Sequence, residues 1–344
     1  MERKPLLALL GLTAAGLAAG CILQQRSQQQ AASCTKELFA MDTIMQFTAY
    51  GANSERAVDA ATEEVKRLDE LLSTGSSSGE ISTINANGAG EISEDTAELL
   101  GAAQEIYEST EGLFDFTVYP LMELWGFPSK EYHVPSEEEL GEVLPLVDAG
   151  QVSVHGNTVT LGENQKLDFG GIAKGYASAR VMEIFREQGV ASGIVTLGGN
   201  VQALHVKPDG SKWRVGIRNP DTSKTQNLGV LSVDNKAVIT SGGYERYFEQ
   251  DGNTYIHILN PRTGYPVDGD LISVTVVSED GVLADALSTS LYIMGLDRAA
   301  EYWRIRAEEF DMILVTEQGE IYVTEGISRD FACEEKVWIL ACPE

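Results

Sequence analysis

Cysteine and histidine are scarce in this chain of 344 residues, with four of each. Four cysteines are too few for a disulfide-dense scaffold, and none has the CxxC spacing of a zinc site. Cations are short as well: 25 Lys and Arg stand against 52 Asp and Glu, a formal net charge of −27. That shortage argues against a nucleic-acid binder, whose affinity is built mostly from Lys and Arg contacts to phosphate. Beyond residue 20 no run approaches the roughly 20 apolar residues that span a bilayer. A G-x-x-x-x-G-K-[ST] loop is missing, and no G-x-G-x-x-G follows a strand, which argues against P-loop and NAD chemistry. What is present is a core-forming composition, 43% hydrophobic and 22% charged, long enough for one large domain or two ordinary ones.

The N-terminus has the layout of an address. Arg3-Lys4 precedes a small, apolar stretch over 5–20 that ends at Gly20-Cys21. This reads as a signal peptide rather than a stop-transfer helix. The small residues before Cys21 are similar to a bacterial lipobox, in which that thiol is acylated and becomes the mature N-terminus. Acyl chains there would supply membrane affinity and place the protein on the extracytoplasmic face of a cell membrane. The Gln- and Ser-rich residues 21–36 then read as a flexible tether, with the folded unit over 37–344. Cys34, Cys333 and Cys342 remain, and three thiols in an oxidising compartment predict one disulfide and one thiol left over.

Within the folded part, Thr43-Ile44-Met45-Gln46-Phe47-Thr48 alternates and predicts a strand. Val58, Ala61, Val65, Leu68 and Leu72 recur at helical spacing after a cap at Asn53 or Ser54. Further helices are predicted over 94–109, 174–188, 282–293 and 298–306. Strands are predicted over 237–240 and 272–277, with short β-like runs between 194 and 233. The pattern is α+β: one compact domain of mixed or antiparallel sheet with flanking helices and an insertion around 120–160.

Two motifs mislead. Gly75-Ser76-Ser77-Ser78-Gly79 spells a nucleophile elbow, but a helix precedes it where a strand is required, and a loop is expected after it. Asp168-Phe169-Gly170 spells the kinase triplet without the catalytic loop or lysine strand that give it meaning.

Three constellations carry chemistry. Asp285 and Thr289 lie four apart on a predicted helix and so share a face. Carboxylate and hydroxyl oxygens stacked this way suit a hard cation such as Mg²⁺. The pair also fits an acidic residue favouring the helix dipole, with Thr289 bonded back to the backbone. Gly170-Gly171 before a helix carrying Lys174 allows close backbone approach to a ligand and a lysine contact to phosphate; a plain strand–turn–helix corner is the other reading. Thr240-Ser241-Gly242-Gly243-Tyr244-Glu245-Arg246 and His257-Ile258-Leu259-Asn260-Pro261-Arg262-Thr263-Gly264 gather hydroxyls, arginines and one histidine suited to acid–base work.

Taken in order with Met41-Asp42-Thr43, Gly112-Leu113-Phe114-Asp115 and Gly198-Gly199-Asn200, these segments closely resemble the ApbE family, the bacterial FAD:protein FMN transferases. The resemblance runs from about residue 41 to 294. It implies an α+β fold related to the T-fold, and a Mg²⁺-dependent transfer of FMN from FAD to a Ser or Thr hydroxyl of an extracytoplasmic flavoprotein, releasing AMP. It places metal ligands at Asp285, Thr289 and the Gly171 carbonyl, and FAD contacts at Met41, Leu113, Phe114, Asp115, Asp168, Lys174 and Leu259. His257 matches an active-site histidine, and His257 and Asp285 are the candidates for general base. Asp42 stands where Gly is usual, and Asn260 where Asp is usual. Hydrolysis of FAD to FMN and AMP, or flavin binding without catalysis, are the other activities this sequence allows.

Overall fold

Alternation builds the first pair of elements. In the computed structural model, which describes residues 32–343, Ser33–Ala40 (β1) and Thr43–Tyr50 (β2) pair antiparallel, with Ala40 opposite Thr43. The signal segment, Cys21 and residues 21–31 of the tether lie outside the described residues. Strand β1 begins at Ser33, so residues 33–36, read from their polarity as tether, belong to the sheet. As an edge strand with mostly exposed side chains, β1 has no need of the apolar alternation that marks β2.

Met41 and Asp42 form the two-residue turn between these strands, with φ of +48° and +59°. Both values are those of a type I′ turn, which matches the twist of a hairpin but favours Asn-Gly. A non-glycine residue in the left-handed region costs roughly 1–2 kcal/mol. Replacing the pair (Met41→Asn with Asp42→Gly) is therefore expected to stabilise the fold by about 1 kcal/mol, read by thermal melting.

Seven further strands extend the sheet in chain order: Ser192–Leu197 (β3), Asn200–Leu204 (β4), Ala237–Gly242 (β5), Leu271–Ser278 (β6), Phe310–Thr316 (β7), Ile321–Thr324 (β8) and Val337–Leu340 (β9). The nine strands lie side by side in their sequence order. Every neighbouring pair is antiparallel except β8 and β9, which are parallel.

Helices Ser54–Leu72 (α1), Glu80–Asn87 (α2) and Glu94–Ser109 (α3) follow β2; Tyr119–Leu124 (α4) and Glu137–Val143 (α5) occupy the insertion; Ala173–Glu187 (α6) precedes β3. Gly281–Met294 (α7) and Leu296–Ile305 (α8) connect β6 to β7. The apolar stripe of α1 is buried along its length, from Ala57 to Leu72. Asn53 occupies its N-cap position without capping it; the side-chain amide donates instead to the Gln188 carbonyl (2.7 Å). Helix α2 starts directly after Gly79, where a loop was expected. The element before that serine loop is still helix α1, so the geometry of a nucleophile elbow is not met.

Residues alternate between two cores across the sheet. Met45, Phe47, Val195 and Val274 point into the helical layer with Leu68, Phe185 and Leu287. Val238, Val277 and Ile313 point the other way, beneath a three-stranded sheet of Trp213–Ile217, Gly229–Val233 and Phe331–Cys333. A third cluster, Leu121, Trp125, Phe127, Leu140, Phe248 and Leu259, binds the insertion to the hairpin of Tyr247–Gln250 and Asn253–Ile256. There the Trp125 indole donates to the Gly264 carbonyl (2.8 Å).

The expected disulfide is not formed: Cys34, Cys333 and Cys342 are unpaired, half-buried thiols. Cys34 is in β1 and Cys342 just beyond β9, at opposite edges of the sheet, while the Cys333 thiol donates to the Leu228 carbonyl. Among the described residues, no helix is long and apolar enough to cross a membrane.

Candidate active site

One glycine contact organises the site. Where α6 crosses α7, a carbon added at Gly175 would lie 2.2 Å from the Gly281 carbonyl oxygen and 2.6 Å from the Asp285 Cβ. Only glycine permits that approach, and it brings the first turn of α6 against the Asp285 side chain. The Gly175 N–H donates to Asp285 Oδ2 (2.7 Å) and the Asn200 amide donates to Oδ1 (2.9 Å). Asp285 is buried, and it forms no salt bridge among the described residues. Burial pushes its carboxyl above the ordinary range; the nearby Lys174 charge and the two hydrogen bonds offset this in part. Gly175→Ala must part the helices and is expected to cost about 3 kcal/mol, lowering the melting temperature by several degrees in a thermal scan.

Thr289 sits one turn beyond Asp285 on α7 and is half-buried. Its Oγ1 meets Ser241 Oγ at 3.2 Å, and no bond back to the backbone is formed. Gly171 faces it: a carbon built there would lie 3.9 Å from Thr289 Oγ1 and 3.3 Å from the Phe114 ring. Asp285, Thr289 and Gly171 all line a single cleft of about 860 Å³, the size of a small-molecule site.

Lys174, on the first turn of α6, projects into the same cleft, with its charge felt by Asp168, Glu245, His257 and Asp285. Asp168 accepts from the Gly170 N–H (2.7 Å), and burial raises its carboxyl. His257 is half-buried and also lines the cleft, its Nδ1 3.1 Å from the Arg246 carbonyl. A carbonyl only accepts, so Nδ1 carries the proton and Nε2 keeps its lone pair. Burial, together with the charges of Arg246 and Lys174, lowers His257 to about 4. The imidazole is thus neutral at physiological pH, a poised acceptor.

The model of the ApbE family matches residues 41–314. The chain belongs to the ApbE family. It is 32% identical to a Klebsiella pneumoniae protein named FAD:protein FMN transferase, over 79% of this chain and 86% of that one. It is 30% identical to a Treponema pallidum protein of the same name, over 76% and 79%. The ApbE protein of Thermotoga maritima superimposes with a TM-score of 0.82 at 32% identity, covering 87% of this chain and 99% of that structure. The flavin transferase ApbE of Vibrio cholerae gives 0.78 at 25% identity, covering 87% and 99%.

Every position that the ApbE resemblance singled out in the folded part lines the cleft: Met41, Leu113, Phe114, Asp115, Asp168, Gly171, Lys174, His257, Leu259, Asp285 and Thr289. Phe114 and Leu259 are buried apolar wall. Asp115 differs in kind, because its carboxylate is taken up by Thr117 and the Ala149 N–H. It ties the insertion down as well as bordering the cleft. The Met41 N–H donates to Asp69 (3.0 Å), which holds the strained turn at the rim. Cys21 lies outside the described residues.

Sequence reasoning quoted Asn200, Glu245 and Arg246 within its motif segments without giving them a role, and it passed over Arg218; all four line the cleft. Arg218 stacks over the Tyr244 ring, 5.1 Å from its centroid. Lys174, Arg218 and Arg246 form no salt bridge among the described residues, so in this acidic protein the cleft concentrates uncommitted cations. Glu245 and Arg246 end the quoted segment from Thr240 to Arg246, which was the available signal. Arg218 had none, because it follows a strand of the small sheet and belongs to no quoted motif.

Proposed function

We propose that this chain transfers FMN from FAD to a Ser or Thr hydroxyl of an acceptor flavoprotein, releasing AMP. The observation that carries this reading is the buried Asp285 carboxylate opening, with Thr289 and Gly171, onto the cleft that Lys174 and His257 also line. The cleft lining combines apolar side chains, among them Met41, Leu72, Met122 and Phe127, with charged and hydroxyl groups. That profile suits a ligand with two ring systems joined by a pyrophosphate.

The residues present fit a Mg²⁺ ion. A carboxylate, a hydroxyl and a backbone carbonyl are an all-oxygen set for a hard cation, and a buried carboxylate without a cationic side chain against it favours one. Among the described residues no group of three His, Cys, Asp or Glu side chains is placed to hold a metal, so this set rests on one carboxylate completed by hydroxyl and carbonyl oxygens. Asp285, Thr289 and the Gly171 carbonyl would hold the ion. When bound it supplies charge neutralisation of the pyrophosphate and of the departing AMP.

The protein's own groups do the rest. Lys174 and the uncommitted arginines counter the negative field of the chain where the diphosphate lies. The acceptor hydroxyl attacks the FMN-side phosphorus in line; its proton passes to His257 Nε2, the new P–O bond forms, and the bond to the bridging oxygen breaks with its electron pair leaving on AMP. His257 suits the base role better than Asp285, whose two oxygens already accept from Gly175 and Asn200.

The segment over 1–21 supports an enzyme anchored by lipid at Cys21 on the extracytoplasmic face, acting on membrane-associated or secreted flavoproteins. The transfer is tested by incubating the full chain with FAD, Mg²⁺ and a candidate acceptor, then separating the proteins under denaturing conditions. Flavin fluorescence on the acceptor band is the expected result. Free FMN with a dark acceptor would mean that water is the nucleophile.

A further inference from the structure

Three hydroxyls, of which Ser241 and Thr289 line the cleft and Ser288 lies behind them, form a chain whose proton order follows from its buried end. Ser288 Oγ donates to the Asp285 carbonyl oxygen at 2.7 Å. Ser288 Oγ and Ser241 Oγ are 2.7 Å apart, and Ser241 Oγ and Thr289 Oγ1 are 3.2 Å apart. Each hydroxyl has one proton to give. The Ser288 proton is committed to a carbonyl that can only accept, so the short contact to Ser241 carries the Ser241 proton. Ser241 then has only lone pairs to offer Thr289, so that contact carries the Thr289 proton. Any other order leaves two oxygens facing each other with no hydrogen between them, at 2.7 Å for either Ser288 contact or at 3.2 Å for the Ser241–Thr289 contact.

We propose that Ser288 and Ser241 are positioning residues that turn the Thr289 hydroxyl outward as a lone-pair donor, so that it receives a divalent cation on the cleft side. The inference rests on the metal reading of Asp285 and Thr289 given above. Reversal of the chain would spend a Thr289 lone pair on Ser241 and weaken the hydroxyl as a ligand. Ser288 is fully buried and does not line the cleft, so its influence on a cation there runs through the hydrogen bonds. Helix α7 carries a built-in control in Ser290, equally buried, whose Oγ donates to the Ala286 carbonyl (2.8 Å) and touches neither Ser241 nor Thr289.

The test is a Mn²⁺ titration of the full chain with FAD present, free Mn²⁺ being read by electron paramagnetic resonance. Ser241→Ala and Ser288→Ala are expected to raise the Mn²⁺ Kd about 10- to 100-fold, the usual effect of losing a group that orients a ligand. Ser241→Thr, which keeps the hydroxyl, restores it to within a few-fold, and Ser290→Ala leaves it unchanged. Melting curves on each variant separate a folding defect from a binding one. Wild-type affinity in a folded Ser288→Ala protein overturns the relay while leaving the metal reading intact. An equal shift in Ser290→Ala overturns it in favour of helix packing. No Mn²⁺ binding by the wild type removes the metal reading, and the relay with it.

Discussion

Asp285→Asn is expected to lower FMN transfer about 1000-fold while melting no lower than the wild type. The activity loss follows from charge: the variant no longer offers a cation an anionic ligand, and metal-assisted charge stabilisation is worth several kcal/mol of barrier, about tenfold in rate per 1.4 kcal/mol. The retained fold follows from geometry. Asparagine can accept from the Gly175 N–H with its oxygen and donate its NH₂ to Asn200, once the Asn200 amide turns over to present its own oxygen. The sign of the stability effect follows from the raised carboxyl. Burial disfavours ionised Asp285, so its cost to the fold is present above the folded pKa and relieved as pH falls through it. At neutral pH the neutral isostere escapes that cost, so its melting temperature equals or exceeds that of the wild type. Loss of activity together with a collapsed melting transition would show instead that Asp285 is structural.

His257→Ala is expected to lose about 10²- to 10⁴-fold in transfer, the range for removal of a positioned base, with FAD binding largely kept. The pH profile identifies the group. The wild-type acid limb of kcat/KM falls well below the ordinary imidazole value of about 6.5, because burial lowers His257 to about 4. Activity is lost as pH falls through that region and is flat above it. An acid limb near 6.5 in the wild type, or an unchanged limb in the variant, would remove His257 from the base role.

Much of this architecture was legible because periodicity and burial agree. Helix α1 and strand β6 read directly from their apolar spacing, and both are buried as that spacing requires. Strand β1 was not legible, since an exposed edge strand needs no apolar pattern. Helix α2 was hidden because it follows a serine-rich loop and buries only Ile81 and Ile84. In the site, Asp285 and Thr289 were legible as a pair because helical spacing puts them on one face. Their partners were not: Asn200 reaches Asp285 across 85 positions and Gly175 across 110, and no local spacing encodes such contacts. The role of Gly175 depends on a helix crossing that exists only once both helices are packed.

The most direct measurement is the mass of an acceptor flavoprotein after incubation with this enzyme, FAD and Mg²⁺, alongside the AMP released. Transfer predicts an acceptor heavier by one FMN less one water, on a Ser or Thr, with AMP formed in equal amount, and no mass gain with Asp285→Asn. AMP formed with no mass gain on any acceptor, or full labelling by the Asp285→Asn variant, would contradict it.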